Sequence, residues 1–230
     1  STGGTRFRYC TTYTNFEMQS GDLVGYLRTS SALDFGSYDN RVTLYYVSPQ
    51  RRGVYQLNTV CPVDYFTSSL KSAMQAKLGR FDGGHRRVTP PLCGTIEADV
   101  ADTAKGYWYH PGSPDNPEDP HLSLIDNNVY APQQTISVGN SLPNGGGVWY
   151  IFTPNNAGLV DRNFSQVTAD GNIYCYDTFY DPIGQPLGLG GPTFILQMTD
   201  ATTLRLEKQG PGSCGAGPWT FTSNAVTFQR

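Results

Sequence analysis

Long apolar runs are missing from this chain, and charged residues are scarce as well: Asp, Glu, Lys and Arg together make up 15% of its 230 residues, with only 4 lysines and 4 glutamates. The first absence excludes a membrane-spanning helix, which needs about 20 consecutive apolar residues. The second excludes a charge-solvated disordered chain and argues against helix-rich surfaces. The 12 arginines are scattered and the net charge is −3, so the clustered basic stripe that a phosphate backbone requires is lacking and nucleic acid is excluded as a partner. Signature motifs are missing too. There is no C-x-x-C, no H-E-x-x-H, no D-x-D-x-D-G loop and no G-x-S-x-G elbow. No leader with a basic start and an apolar middle is present, as expected either of a mature chain after cleavage or of a sequence that omits it.

What the chain has in quantity is Gly (26), Pro (16) and aromatic residues, with 15 Tyr, 11 Phe and 3 Trp. Short runs of β-branched and aromatic residues alternate with turn clusters, as half-buried strands do. The runs are 42–47, 54–60, 106–109, 148–153, 172–176, 194–198, 203–207 and 226–228. Asn144-Gly145-Gly146-Gly147 and Asp170-Gly171 are the clearest turns between them, because they accept positive φ at little cost. One helix is expected from Asp64 to Leu78, where Phe66, Leu70, Met74 and Leu78 form a stripe suited to packing on a sheet. Asp64 is its expected N-cap and Gly79 its stop. The fold class is therefore mainly β, an antiparallel barrel or sandwich with one packed α-helix. A single domain over 1–230 is expected, with the aperiodic stretch 79–92 as an alternative internal boundary.

Five cysteines in such a composition favour disulfides and a compartment outside the cytoplasm, either extracellular or periplasmic. A Cys61–Cys93 bridge would close about 30 residues and add roughly 3 to 4 kcal/mol on the loop-entropy model. Cys175 with Cys214 is the second expected pair, leaving Cys10 unpaired or joined to another chain. Zinc or a redox pair is the competing reading, and no histidine lies at finger spacing.

Polar chemistry is densest between Tyr107 and Asn128. His110, Asp119 and His121 are the candidate metal ligands, and Asp119, His121 and Asp126 the candidate acid–base residues of a hydrolase. The competing view is a Pro- and Asp-rich surface loop whose carboxylates cap turns. Glu97 with Asp99 is a further carboxylate pair. Gly210 to Gly215 matches G-x-G-x-x-G in letters, yet the next segment, Pro218 to Phe221, reads as strand, so a loop stapled through Cys214 is expected rather than a phosphate cradle. Asn163-Phe164-Ser165 is a glycosylation sequon, relevant only in a eukaryotic source. The excess of Tyr over Phe points to rings that need water or a partner for their hydroxyls, as in a groove for sugars or flat ligands. Trp108, Tyr109, His121 and Trp149 are the expected ligand-binding residues.

Three phrases, Pro91-Leu92-Cys93-Gly94, Asp102 to Trp108 and Pro117 to Leu124, resemble a group of secreted bacterial proteins with no activity attached, over about Cys61 to the C-terminus. The resemblance implies export and a bacterial source and names no catalytic residue. Gly106-Tyr107-Trp108 also resembles the Gly-x-Trp pair of lipocalin-like barrels, although it stands well inside the chain rather than at its start. Three functions are expected. The first is a secreted ligand-binding or cell-surface β module for a glycan or small aromatic-compatible ligand, with no cofactor. The second is a metal-assisted or acid–base hydrolase centred on His121, and the third an extracellular structural subunit that self-associates by strand exchange.

Overall fold

The alternation of apolar residues at i, i+2 along successive segments is satisfied by a closed eight-stranded antiparallel barrel. A computed structural model describes residues 17, 19, 22, 35–80, 82–114, 121–143, 148–180 and 190–230. The chain divides into Ser1–Phe35 and Gly36–Arg230, and every element named here lies in the second unit.

The barrel strands are β3 (Gly106–Tyr109), β4 (His121–Asp126), β5 (Gln134–Val138), β6 (Val148–Phe152), β7 (Tyr174–Tyr180), β8 (Gly190–Asp200), β9 (Thr203–Pro211) and β10 (Val226–Gln229). Each pairs with the next in the chain, and β10 closes on β3 with Gln229 opposite Tyr109. Register keeps apolar partners on one face: Trp108 lies opposite Leu122, Leu124 opposite Ile136, Tyr176 opposite Phe194 and Met198 opposite Leu204. A slip of one residue would turn all of them to water. These side chains are 0–1% exposed and fill the interior, as expected for a ring of this strand number. Burial of each contributes about 1.5–3 kcal/mol. Closure leaves the ring no free edge, so the strand exchange expected for a structural subunit has no basis in the barrel itself.

One end of the barrel is plugged from a short 3-10 turn, Phe164–Gln166. Phe164 is fully buried and packs edge-on against Phe152 at 5.1 Å and tilted on Tyr176 at 5.2 Å. Its backbone N–H donates to the buried Gln134 Oε1 at 3.0 Å. Asn163 of the sequon caps the same turn, its Oδ1 accepting from the Ser165 N–H at 3.0 Å and the Ser165 hydroxyl at 2.8 Å. Beside this plug, the Trp108 Nε1–H donates to the Ala104 carbonyl at 2.8 Å. The Arg230 guanidinium lies 4.1 Å over the Trp108 ring and donates to the carbonyls of Lys105, Val100 and Thr103. Gly106 is required here: its φ is +130°, and an added Cβ would come within 2.2 Å of Asp99 Oδ1. The Gly-x-Trp stretch thus opens the first strand of the barrel.

The two expected disulfides are both present, Cys61–Cys93 with Cα atoms 5.9 Å apart and Cys175–Cys214 at 5.8 Å. Cys10 lies outside the described residues. The second bridge staples the loop after β9 to the outer face, where Ile195, Trp219 and Phe221 pack around it. The buried Glu207 carboxylate fastens the same loop by accepting from the Thr222 N–H and the Thr222 hydroxyl, both at 2.7 Å. Gly210 and Pro211 end β9 and Gly212–Gly215 lie in the expected stapled loop, while Pro218–Phe221, expected as strand, forms none.

Ahead of the barrel are a two-stranded sheet, β1 (Ser37–Tyr38) with β2 (Thr59–Val60), and helices α1 (Val54–Leu57) and α2 (Ser68–Gln75). Four expectations need correction. The run 54–60 is not one strand: Val54–Leu57 form α1, and only Thr59–Val60 pair, as β2. The helix is shorter than its apolar period suggests: Pro62–Tyr65 form a 3-10 turn, Thr67 is the N-cap, and Leu70 is 46% exposed instead of packed. Asp64 pairs with Lys71 at 2.7 Å, and Gly79 stands beyond the helix end with φ +146°, pressed against the backbone of His85. Residues 42–47 do not form a strand, because their donors are taken by carboxylates: the Tyr45 N–H by Glu97 at 2.5 Å and the Val47 N–H by Asp99 at 2.9 Å. Finally, 121–126 is not a surface loop, since Leu122 and Leu124 alternate into the core and make it a barrel strand.

Candidate ligand clefts on the outer face

Strand alternation decides the fate of each candidate residue. Trp108 points into the barrel, is 0% exposed and serves the core. Tyr109 points outward but is covered, with the Arg51 guanidinium 4.5 Å above its ring. His121 stands directly opposite Tyr109 on β4. Trp149, also outward, is 47% exposed and lies opposite Ser137, which in turn lies opposite Ser123. The outer face from β3 to β6 therefore carries Tyr107, two serines and Trp149 in one register line.

The acid–base candidates are not gathered. His121 and Asp126 occupy opposite ends of β4, about 17 Å apart at the rise of an antiparallel strand. Asp126 forms an ion pair with Lys105 at 2.6 Å and accepts from Gln134 at 2.9 Å. His110 follows β3, with its Nδ1 3.0 Å from the Pro111 carbonyl and its ring edge-on to Phe228. Asp119 lies outside the described residues. Among the described residues no three His, Cys, Asp or Glu side chains converge as a metal site. Glu97 and Asp99 are spent on backbone donors, Asp99 also accepting from the Tyr107 N–H at 2.8 Å.

The polar region read from the sequence does converge elsewhere. A cleft of about 390 Å³ opens between the segment carrying Cys93 and the outer face of β3 and β4, lined by Tyr107, Asp126, Asn127, Asn128, Arg87 and Thr95 among others. Its walls are fixed before any ligand arrives. The Cys61–Cys93 bridge holds one side, and Arg87 ties it to the other by donating to the Asn128 carbonyl at 2.5 Å and the Pro91 carbonyl at 3.0 Å. Gly94, at φ +82°, lets the chain pass Asn128, whose Oδ1 would lie 2.1 Å from an added Cβ. Asn127 Oδ1 accepts from the N–H groups of Val129 and Tyr130, which orders the floor. Asn128 and Asp126 both line the space, the Asp126 carboxylate also holding Lys105 and Gln134.

A second cleft of about 190 Å³ adjoins it and shares Tyr107 as a wall, with Arg52, Tyr109, His121 and Ser123. The Arg52 guanidinium lies 4.0 Å from the Tyr107 ring centre, 4.7 Å from Tyr46 and 5.6 Å from Tyr109. Burial raises the Tyr46 hydroxyl to about 12 and pushes Tyr107 and Tyr109 upward, against the opposing charge of Arg52, so all three stay protonated donors through the physiological range. Arg52 and Tyr46 escaped the sequence reading. They lie far upstream in a stretch that resembled strand and turn, and no motif there signals a cationic site.

Comparison with known proteins adds no relative: no family model, curated protein or solved structure matches the chain.

Proposed function

We propose that this β-barrel is a ligand-binding module of an exported protein and that a short glycan is its ligand, seated in the 390 Å³ cleft. The observation that carries this reading is the pairing of an aromatic ring with polar groups in a preformed space of ligand size. Tyr107 supplies an apolar face, while Asp126 and the amide of Asn128 supply acceptors and a donor, the combination that suits a sugar ring. Tyr109, His121 and the exposed Trp149 extend the same outer face, and Trp149 is the platform for a second ring. Two disulfides support a site of action outside the cytoplasm. No helix among the described residues is long and apolar enough to cross a membrane.

The test is calorimetric titration of the protein with a panel of neutral tri- and tetrasaccharides, followed by Tyr107→Leu, Asp126→Asn and Trp149→Ala variants. At least one sugar is expected to bind, tenfold or more weakly to Tyr107→Leu and Asp126→Asn and several-fold more weakly to Trp149→Ala. Sugar binding untouched by all three substitutions, or no binding at millimolar concentration, overturns the reading.

A further inference from the structure

We infer that Arg52 forms an oxyanion-binding site in the smaller cleft, separate from the glycan reading and standing whether or not that reading holds. Its basis is an uncompensated cation. The guanidinium is held by three tyrosine rings, yet Nε and Nη2 are buried with no acceptor among the described residues, and no carboxylate there forms an ion pair with it. Buried donors are rarely left unpaired, and a buried charge without a counter-ion is more costly still.

The neighbouring groups do not supply the missing partner. Asp99, whose charge acts on Tyr46, Tyr107 and Tyr109, has both oxygens engaged by the backbone of Val47 and Tyr107. Arg51 adds a second positive charge on the Tyr109 ring, its own donors directed to the Ser113 carbonyl and hydroxyl. His121 and Ser123 close the cleft with an imidazole and a hydroxyl, both capable of donating to an anion.

The unsatisfied pair is also the right pair. Nε and Nη2 share one edge of the guanidinium plane, and their two parallel N–H bonds match the two oxygens of a carboxylate or of a sulfate or phosphate ester. The three rings attract the cation through their π faces and offer no acceptor to its N–H groups, which leaves hydrogen bonding to a ligand. An oxyanion in this cleft supplies the acceptors that the fold omits, and the shared Tyr107 wall places it beside the larger cleft, where the rest of an acidic sugar can lie.

The experiment follows the Arg52 Nε–H signal by NMR in the intact protein while inorganic sulfate, glucuronate and glucose are added separately. Sulfate or glucuronate is expected to shift that signal saturably, and glucose to leave it in place. Arg52→Lys, which keeps the charge and loses the fork, is expected to weaken binding about tenfold to a hundredfold, read by calorimetry. His121→Gln, outside the ring stack, gives a smaller loss and guards against a folding effect at position 52. Glucuronate binding far better than sulfate identifies an acidic sugar as the source of the oxyanion, and equal binding identifies a free anion; both support the site. No saturable shift with either anion, or anion binding that Arg52→Lys leaves unchanged, overturns it. Neutral-sugar binding lost at Tyr107 but retained in Arg52→Lys bears on the glycan cleft alone, so the two readings fail separately.

Discussion

Replacing Phe164 by alanine puts the barrel plug to a quantitative test. The ring is 0% exposed, sits between Phe152 and Tyr176, and is anchored through its own backbone N–H, so the gap it leaves cannot collapse freely. Truncation of a buried Phe costs about 3–5 kcal/mol, transfer and cavity contributions combined. With a urea slope of about 2–3 kcal/mol/M, the unfolding midpoint falls by roughly 1–2 M. Phe164→Leu, which fills most of the space, is expected to lose less than half as much. The informative contrast is Leu70→Ala on α2. Helical period alone makes Leu70 a packed residue, but it is 46% exposed, so its removal costs about 0.5 kcal/mol or less. Urea denaturation of the three variants decides the matter. A Phe164→Ala loss below about 1 kcal/mol, or a Leu70→Ala loss equal to it, refutes the assignment of the plug and restores the helix stripe as core.

Three further outcomes are expected. Joint replacement of Cys175 and Cys214 by alanine frees a loop with a sequence separation of 39 and costs about 3–4 kcal/mol. Because the Trp219 Nε1–H donates to the Cys214 carbonyl at 2.7 Å, its fluorescence is expected to shift to the red, and an unchanged spectrum counts against the staple. Gly106→Ala, at a positive φ and against the Asp99 backbone, is expected to cost more than about 1 kcal/mol; wild-type thermal stability would contradict the close approach. Asp161 provides the pH test. Burial, with the nearby Asp177 carboxylate adding to it, lifts its carboxyl from 3.8 to about 6, although it accepts from the Asp177 N–H. The fold thus favours the protonated acid: that stabilisation is complete below about pH 3.8 and is lost as pH rises through about 6. Asp161→Asn, which tolerates the φ of 53° at this position, is therefore expected to exceed the parent in stability at pH 7.5 and match it near pH 3.5; a difference independent of pH refutes the assignment.

Much of this molecule was legible locally. The β class and the six barrel strands other than β4 and β5 follow from alternation and turn residues, whereas five cysteines allow fifteen two-bridge patterns and only the fold selects Cys61–Cys93 and Cys175–Cys214, the two pairs expected. Two strands were hidden for a definite reason. His121–Asp126 and Gln134–Val138 carry His121, Ser123, Thr135 and Ser137 on outward positions and the paired Asp126 and Gln134 at one inward end, so polar letters masked the Leu122, Leu124, Ile136 and Val138 alternation that fills the core. Residues 42–47 failed in the opposite sense: their composition suits a strand, but the carboxylates of Glu97 and Asp99 occupy donors that a neighbouring strand would need. Residues between Tyr107 and Asn128 line both clefts, while Trp108 among them turns inward and Arg52, far upstream, lines the smaller one.

The amino-acid order by itself determined that this chain would be a disulfide-braced β protein, because strand alternation and turn chemistry act over a few residues and can be read one segment at a time. Which rings face water, which acid is consumed by a backbone N–H, and which arginine is left without an acceptor were decided only when the ring of strands closed. Those properties depend on side chains remote in sequence meeting across the barrel wall, and burial and electrostatic pairing are set by that meeting alone.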